Sequence, residues 1–592
     1  MNVLIVGGGG REHALAWKLS QSPRVSKLYA SPGSAAIGEL ATCVPLESHE
    51  ALADFAAREQ IGLTVVGPEA PLVAGLADVF RAQGLRVFGP SAAAAQLEGS
   101  KAFAKAFMER HGIPTSPYRA FDDLAAAKAY LADLPGPYVI KADGLAAGKG
   151  VAICTTREEA EAALAATLVD KAFGAAGERV VIEGFLRGEE ASYFAICDGT
   201  DFVGCPAAQD HKPVGDLDRG PNTGGMGAYC PAPLVTPEVE RRVVEQIVRP
   251  TLAGMAAEGH PFQGVLYVGL MIDDAGAPAV VEYNCRFGDP ECQPLLMLLQ
   301  SDLAELLEAA ADGAVTRARP VWRPGAAACI VMASGGYPGA YAQGLPIHGL
   351  DDLPDSPDGR VFHAGTGRAD GQWVNHGGRV LGVTAWGATL QQALQRGYRL
   401  VERIGWQGVI YRKDIGLKGL KRDKGDRPDT NVALLLGSAS DMDVATKATD
   451  VLQRLGLGYE LAVASAHRTP ERVRRFVGAA EEAGAEVFIA IAGMAAALPG
   501  VVAAETQRPV IGVPVKSSAF EGLDALLSIA QMPPGIPVAT VAVGGGANAA
   551  LLAAAILAVK YPDVAASLQE YRLEQALKVE EAHRAAGLST LV

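Results

Sequence analysis

Val280-Val281-Glu282-Tyr283-Asn284-Cys285-Arg286-Phe287-Gly288-Asp289-Pro290-Glu291 begins as an apolar strand and ends on a polar turn. Side chains two positions apart on a strand point the same way, so Glu282 and Asn284 present a carboxylate and an amide on one face. Such hard oxygen donors suit a divalent cation, Mg²⁺ or Mn²⁺, shared with nucleotide phosphates. Arg286 and Asp289 follow on the turn. A buried strand with a polar end has the same local pattern, so the rest of the chain has to decide.

Upstream, Val139-Ile140-Lys141-Ala142-Asp143-Gly144-Leu145-Ala146-Ala147-Gly148-Lys149-Gly150 places a glycine-rich loop after another apolar strand. Lys141, at the strand end, can reach a bound phosphate, while Gly144, Gly148 and Gly150 allow the loop backbone to approach it. Together with Lys101, Glu183, Glu190 and the Glu282/Asn284 pair, these residues predict an ATP site. No G-x-x-x-x-G-K-[ST] run is present, which removes the commonest alternative cradle.

The chain has 592 residues, about four domains of ordinary size. Its net charge of -14 argues against nucleic acid or an anionic membrane as a partner and leaves small phosphorylated ligands. The eight cysteines form no C-x-x-C pair, and no apolar run approaches the ~18 residues of a spanning helix. With no basic, apolar leader before the first strand, the expectation is a cytoplasmic protein with reduced thiols.

Strand and helix patterns alternate in residues 1–100, which predicts an α/β substrate domain. Residues 101–324 hold the nucleotide residues, and 325–418 form a smaller, strand-rich domain. Charges of both signs crowd 419–430, read as an exposed linker. From 431 to 592 strands at 432–436, 461–464, 487–492, 510–515 and 538–543 alternate with helices. That predicts a flavodoxin-like, doubly wound parallel sheet. The glycine turn at Gly7 to Gly10 is not a dinucleotide fingerprint, because Glu12 stands where a third glycine belongs and no acidic ribose partner follows. It still opens a helix whose N–H groups suit a phosphate.

Over its first ~420 residues the chain resembles the phosphoribosylamine–glycine ligase family of the ATP-grasp superfamily. The resemblance is carried by Gly9-Gly10-Arg11-Glu12-His13-Ala14, Gly67-Pro68-Glu69-Ala70-Pro71-Leu72, Leu97-Glu98-Gly99-Ser100-Lys101, Lys141 to Gly150, Gln209-Asp210-His211-Lys212, Gly220-Pro221-Asn222-Thr223-Gly224-Gly225-Met226-Gly227 and Asn284 to Glu291. It implies an ATP-grasp fold and the ligation of glycine to 5-phosphoribosylamine through glycyl phosphate. It also implies that Gly9, Gly10, Glu12 and Glu69 hold the phosphoribosylamine, with Asp210 or Asp289 toward glycine. Gly184 replaces a second glutamate common in the family, which implies altered adenine contacts. His211 is read as ordering a loop and Cys285 as a small buried hydrophobe.

In the last domain, Gly437-Ser438-Ala439-Ser440-Asp441 and Ser465-Ala466-His467-Arg468-Thr469-Pro470 both follow strands, at the carboxyl ends where open sheets bind ligands. Ser438, Ser465 and Arg468 suit a phosphate, Asp441 a ribose hydroxyl, and His467 a proton shuttle. With Ala497-Leu498-Pro499-Gly500, the 523–533 run and the 547–554 run, these segments resemble the carboxyaminoimidazole ribonucleotide mutase family. The resemblance implies an imidazole ribonucleotide as substrate, no organic cofactor, and a homo-oligomer, octameric by analogy. Ala497 replaces the family's histidine, Val515-Lys516-Ser517 departs from Val-Gln-Ser, and the 544–548 segment is shortened. Those departures leave open an aminoimidazole ribonucleotide carboxylase that uses CO₂ directly, and a non-catalytic oligomerisation module is the rival of another class.

Overall fold

The apolar strand runs read from the sequence form seven sheets in a computed structural model that describes residues 1–146, 150–354, 356–517 and 520–588. The chain divides into two compact units, Met1–Gly416 and Leu417–Val592.

In the first unit, strands Asn2–Gly7, Lys27–Pro32, Thr42–Cys43, Ile61–Val66 and Val87–Phe88 form one parallel sheet with Asn2–Gly7 at its centre. The first strand ends where the helix Gly10–Leu19 begins, as the glycine turn predicts. The nucleotide residues lie on two antiparallel sheets. One pairs Tyr118–Phe121, Val180–Gly184, Tyr138–Ala142 and Val151–Cys154; the other pairs Phe202–Gly204, Glu189–Asp198, Gln263–Ile272 and Pro278–Asn284.

The third part of this unit is strand-rich, but its sheet is not built from 325–418 alone. Ala326–Ala333, Arg379–Gly387 and Gly359–His363 are extended by Gly227–Cys230 and Gln209–Asp210. Cys230 and Tyr229 are fully buried there, which repays two short strands for crossing over. Local periodicity carries no signal for such long-range pairing.

The second unit is a five-stranded parallel sheet, Tyr459–Val463, Val432–Leu436, Val487–Gly493, Val510–Val515 and Ala539–Thr540 in spatial order, the doubly wound flavodoxin arrangement. Val432, Leu434 and Leu436 on one face and Ala433 and Leu435 on the other are all fully buried, as expected for a central parallel strand covered on both sides. The last strand is shorter than the sequence suggests.

Residues 419–430 are only partly an exposed linker: 422–426 and Asp429 are exposed, but both ends of the segment pack against the rest of the second unit. Leu417–Arg422 is helical with Leu417, Gly419 and Leu420 buried, and Lys421 pairs with Glu570 of the long helix Pro562–Ala585. Arg427 is buried against Asp563 at 2.9 Å. Two of the charges that suggest solvent are thus partners for that helix. All eight cysteines are free. Among the described residues no helix is long and apolar enough to cross a membrane.

One contact inside the first unit titrates. His13 on the first helix accepts the backbone N–H of His363 through Nδ1 at 2.9 Å, and its ring packs edge-on against Phe362. Burial holds His13 down to about 3 and His363 to about 4, so both stay neutral when folded. Below pH 6.5 the unfolded chain takes up protons that the folded unit refuses, so stability is complete above 6.5 and falls as the pH drops. The slope should approach ~1.4 kcal/mol per pH unit for each histidine. All five tryptophans, Trp17, Trp322, Trp373, Trp386 and Trp406, lie in this unit, so their fluorescence follows it alone. In urea titrations between pH 6.5 and 5, His13→Asn should remove about half of the slope; an unchanged slope would dismiss the assignment.

Candidate active site

Strand Pro278–Asn284 pairs with Gln263–Ile272, Glu282 opposite Gly269 and Val280 opposite Leu270. The extra residue, Val281, is a bulge, and its carbonyl accepts Lys141 Nζ at 3.0 Å instead of completing the ladder. Beyond the bulge Glu282 and Asn284 share a face, as their spacing predicts, and both line a cavity of about 550 Å³.

Lys212 draws the Glu282 carboxyl down to about 2 against its burial, helped by Lys141, Lys101 and Arg286. Asn284 is oriented by Arg286, whose NH2 donates to its Oδ1 at 3.1 Å. An ionised carboxylate that keeps about a third of its side chain exposed (32%), next to an oriented amide oxygen, fits a hard divalent cation. No group of three or more His, Cys, Asp or Glu side chains with metal-binding geometry occurs among the described residues.

Arg286 itself is engaged by protein. Nε pairs with Glu69 at 3.0 Å, NH2 with Glu98 at 2.6 Å, and NH1 donates to the Phe287 carbonyl at 3.4 Å. Burial raises the Glu98 carboxyl, while Arg286 and the Cys285 N–H at 2.7 Å favour its ionised form.

At the other end, Glu183 stands between two buried lysines, 2.9 Å from Lys141 Nζ and 2.8 Å from Lys105 Nζ. Its carboxylate is therefore committed to the lysines rather than open to the ligand. Lys101 donates to the Gly144 carbonyl at 3.1 Å. A Cβ on Gly144 would sit 2.9 Å from Ala176, so the loop needs glycine to pack this close. Gly150 meets Ala146 in the same way, at 2.7 Å; Gly148 lies outside the described residues. Leu145, Ile153, Phe185 and Met271 give this end an apolar wall, and Gly184 lies in the same lining. Glu190 pairs with Lys212 at 2.9 Å on the same cavity.

At the far end Glu69 lines the cavity beside Arg11, while Gly9, Gly10 and Glu12 form the turn next to it and are not among the lining residues. Glu12 accepts the Gly9 N–H at 2.7 Å and pairs with Arg11 at 2.6 Å. A Cβ on Gly67 would fall 2.1 Å from its Oε1, so Glu12 fills the space that a dinucleotide turn would leave open. Gly10 faces Asp289 and Gln293.

Several cavity residues, Asp210 apart, had no role in the sequence reading. Arg379, from the third sheet, donates to the carbonyls of Gly224 at 2.6 Å and Asp289 at 2.5 Å and lies 3.4 Å from the Asp289 carboxylate. Burial and the neighbouring Glu291 hold the Asp210 carboxyl well above its usual range. Lys105, Glu98 and Lys212 complete the set; each sits within a few residues of a quoted motif, but only pairing geometry reveals its partner. His211 is buried, with Nδ1 3.0 Å from the Gly227 carbonyl, in keeping with a loop-ordering role, and Cys285 is a buried thiol.

In the second unit, Arg468 joins the two strand-end loops. Its Nε and backbone N–H donate to Ser465 Oγ at 3.3 Å, and NH2 donates to the Gly437 carbonyl at 3.3 Å. Ser438 Oγ accepts the Ser440 N–H at 3.3 Å, and Asp441 is buried behind Ser440, its carboxyl raised by desolvation. His467 stands exposed on the same edge.

Comparison with known proteins agrees with this division. The families described as phosphoribosylglycinamide synthetase N domain, ATP-grasp (A) domain and C domain match residues 1–98, 99–292 and 327–418, and the family described as AIR carboxylase matches 431–578. Phosphoribosylamine–glycine ligase of Pseudomonas aeruginosa is 54% identical over 430 residues, 72% of this chain and all of that protein. The Rhizobium meliloti enzyme of the same name is 54% identical over 425 residues, again its whole length and 72% of this chain. The crystal structure of phosphoribosylamine–glycine ligase from Thermotoga maritima superposes with a TM-score of 0.63 at 34% identity, covering 70% of this chain and 100% of that one. The biotin carboxylase domain of Hydrogenobacter thermophilus 2-oxoglutarate carboxylase, solved with MgADP, shares the fold at a TM-score of 0.56 and 18% identity, covering 72% and 94%.

Proposed function

This chain belongs to the phosphoribosylamine–glycine ligase family, and from that premise we propose an enzyme of purine biosynthesis with two reactions. The first joins glycine to 5-phosphoribosylamine with ATP. A glycine carboxylate oxygen attacks the γ-phosphorus and ADP leaves; the amine nitrogen then attacks the acyl carbon, phosphate leaves, and a proton is lost. No protein nucleophile is needed, so catalysis is positioning and charge. The observation that carries this reading is the cavity that gathers Lys101, Lys141, Lys212 and Arg286 around one ionised carboxylate.

In this proposal Lys101 and Lys141 face the phosphates, and Gly144, Gly148 and Gly150 bring the loop over them. Glu190 and Gly184 border the nucleoside, and Glu183 serves it by orienting the lysines. Glu282 and Asn284 would hold Mg²⁺ or Mn²⁺, which when bound neutralises phosphate charge. Gly9, Gly10, Glu12 and Glu69 border the phosphoribosylamine. Arg286 lends positive charge to the acyl phosphate while keeping the Asn284 oxygen aimed. Glu282→Gln or Asn284→Ala should lower ATP consumption with both co-substrates by at least ~100-fold, the scale of losing a charge stabiliser. Near-normal turnover in both variants would refute the metal assignment.

The second reaction belongs to Leu417–Val592: conversion of 5-(carboxyamino)imidazole ribonucleotide to 4-carboxy-5-aminoimidazole ribonucleotide. Ser438, Ser465 and Arg468 would bind phosphate, Asp441 the ribose, and His467 would carry the proton. The Ser465-to-Pro470 segment favours the mutase, and Ala497 favours direct use of CO₂. Product formation should be followed with the carboxyamino substrate in CO₂-depleted buffer, and separately with aminoimidazole ribonucleotide and abundant CO₂. A mutase is fast with the first only, whereas a need for dissolved CO₂ would establish the carboxylase. His467→Asn should abolish either activity and spare the ligase.

A homo-oligomer, octameric by resemblance, is part of the same proposal. Met494, Phe520, Leu523 and Leu527 leave about half or more of their surface exposed in the second unit, apolar surface that a neighbouring copy would cover. Light scattering at micromolar concentration should give a single assembled species, and a monodisperse monomer would remove the idea. An assembly that lacked turnover with either imidazole substrate would favour the non-catalytic module instead.

A further inference from the structure

We propose that Lys105 is a positioning residue of the ligase reaction, acting through Glu183 to hold the Lys141 ammonium toward the nucleotide phosphates. The proposal rests on the reading of the large cavity as the nucleotide site.

Lys105 follows Lys101 by one turn of the helix Lys101–Arg110 and points inward, 2% exposed. Its ammonium has three donors, and three protein oxygens face it: Glu183 Oε2 at 2.8 Å, Thr115 Oγ1 at 2.7 Å and Ser116 Oγ at 2.8 Å. Although it borders the cavity, it has no donor left for a ligand. Ser116 Oγ donates to the same Glu183 oxygen at 2.8 Å, so that side of the carboxylate is fixed from below.

The other oxygen, Oε1, faces Lys141 Nζ at 2.9 Å. Lys141 also donates to the Val281 carbonyl at the bulge, 3.0 Å away. That hydrogen bond and the ion pair, which completes no hydrogen bond at Oε1, hold the ammonium at the edge of the cavity that Lys141 lines.

The charge count gives the arrangement its purpose. Glu183 paired with Lys141 alone would cancel the charge offered to a phosphate, and the pair could close on itself. With Lys105 as a second cation the three groups carry a net positive charge, and Glu183 is drawn equally from both sides. Burial lowers Lys105 to about 8 while Glu183 supports its charge, so the ammonium persists at neutral pH at a desolvation cost. An apolar residue of the same length would fill the space without that cost.

The test uses the full chain and four proteins: wild type, Lys105→Met, Glu183→Gln and the double variant. MgADP binding is measured by equilibrium dialysis, steady-state kinetics with ATP and glycine varied in turn, and folding by tryptophan fluorescence. Lys105→Met should weaken MgADP binding and raise the KM for ATP on the order of ten-fold, the scale of one charge-assisted hydrogen bond. The KM for glycine should change less than about two-fold. Because Lys105 acts only through Glu183, the double variant should bind MgADP no more weakly than Glu183→Gln. Lys105→Gln keeps a donor for the hydroxyls and removes only the charge, so it gives the same readout if the methionine variant does not fold. Wild-type affinity in both Lys105 variants, or losses that multiply in the double variant, would overturn the proposal. So would equal losses for ATP and glycine, which mark a merely structural role. Failure of the wild type to bind MgADP would instead bring down the nucleotide reading, and this inference with it.

Discussion

The Arg286 guanidinium ties together segments that are far apart in the chain. It pairs with Glu69 from the first sheet's loop and Glu98 before the lysine helix, and it orients Asn284 on its own strand. Removing one partner from such a buried set typically costs about 3–5 kcal/mol, because the remaining charge is stranded. The Glu69 loop, the turn before the helix Lys101–Arg110 and the strand that carries Glu282 and Asn284 are therefore registered to one another by a planar group with fixed donor directions. Slack here would appear as misplaced reactants, and about 1 Å of misplacement can cost two orders of magnitude in rate.

Around that fixed point the cavity sets opposed charges beside its apolar wall. Lys101, Lys105, Lys141, Lys212 and Arg286 share it with Glu183, Glu190 and Glu282, and with Glu69, Glu98, Asp210, Asp289 and Glu291 toward the first sheet. The carboxylates keep the cations apart and pointed. Preorganised charge in a water-poor site stabilises an anionic transition state without reorganising as it forms. A reaction that passes through an acyl phosphate needs little else from the protein.

The i, i+2 pair Glu282/Asn284, the Lys141 strand end and the glycine loop were legible in the sequence because each is a local pattern with a direct geometric meaning. So was the doubly wound sheet, whose buried central strands read as unbroken apolar runs. Two things were not. The strands Gln209–Asp210 and Gly227–Cys230 join a sheet formed mostly from residues a hundred positions later, and two-residue pairings leave no periodic trace. Lys421 and Arg427 looked solvated because their partners, Glu570 and Asp563, lie some 140 residues on. Lys105 and Glu183 show the same limit at the site. Glu183 was in view and Lys105 was not, and nothing in their spacing says that one carboxylate stands between two lysines.

The two units differ in how their chemistry is shielded from water. In the first, Lys141 and Glu183 are nearly inaccessible and are held against one another within a single chain. In the second, Ser465 is only partly buried and His467 and Arg468 are exposed on a sheet edge, held by bonds of 3.3 Å from Arg468 to the serine and to Gly437. A proton shuttle can work at such an edge, but retention of CO₂ between bond breaking and bond making requires a wall. The apolar side chains left uncovered in the same unit supply a reason for another surface to pack there. The proposed proton shuttle and the exposed apolar side chains thus lie in the same unit, and the proposed assembly would account for both at once.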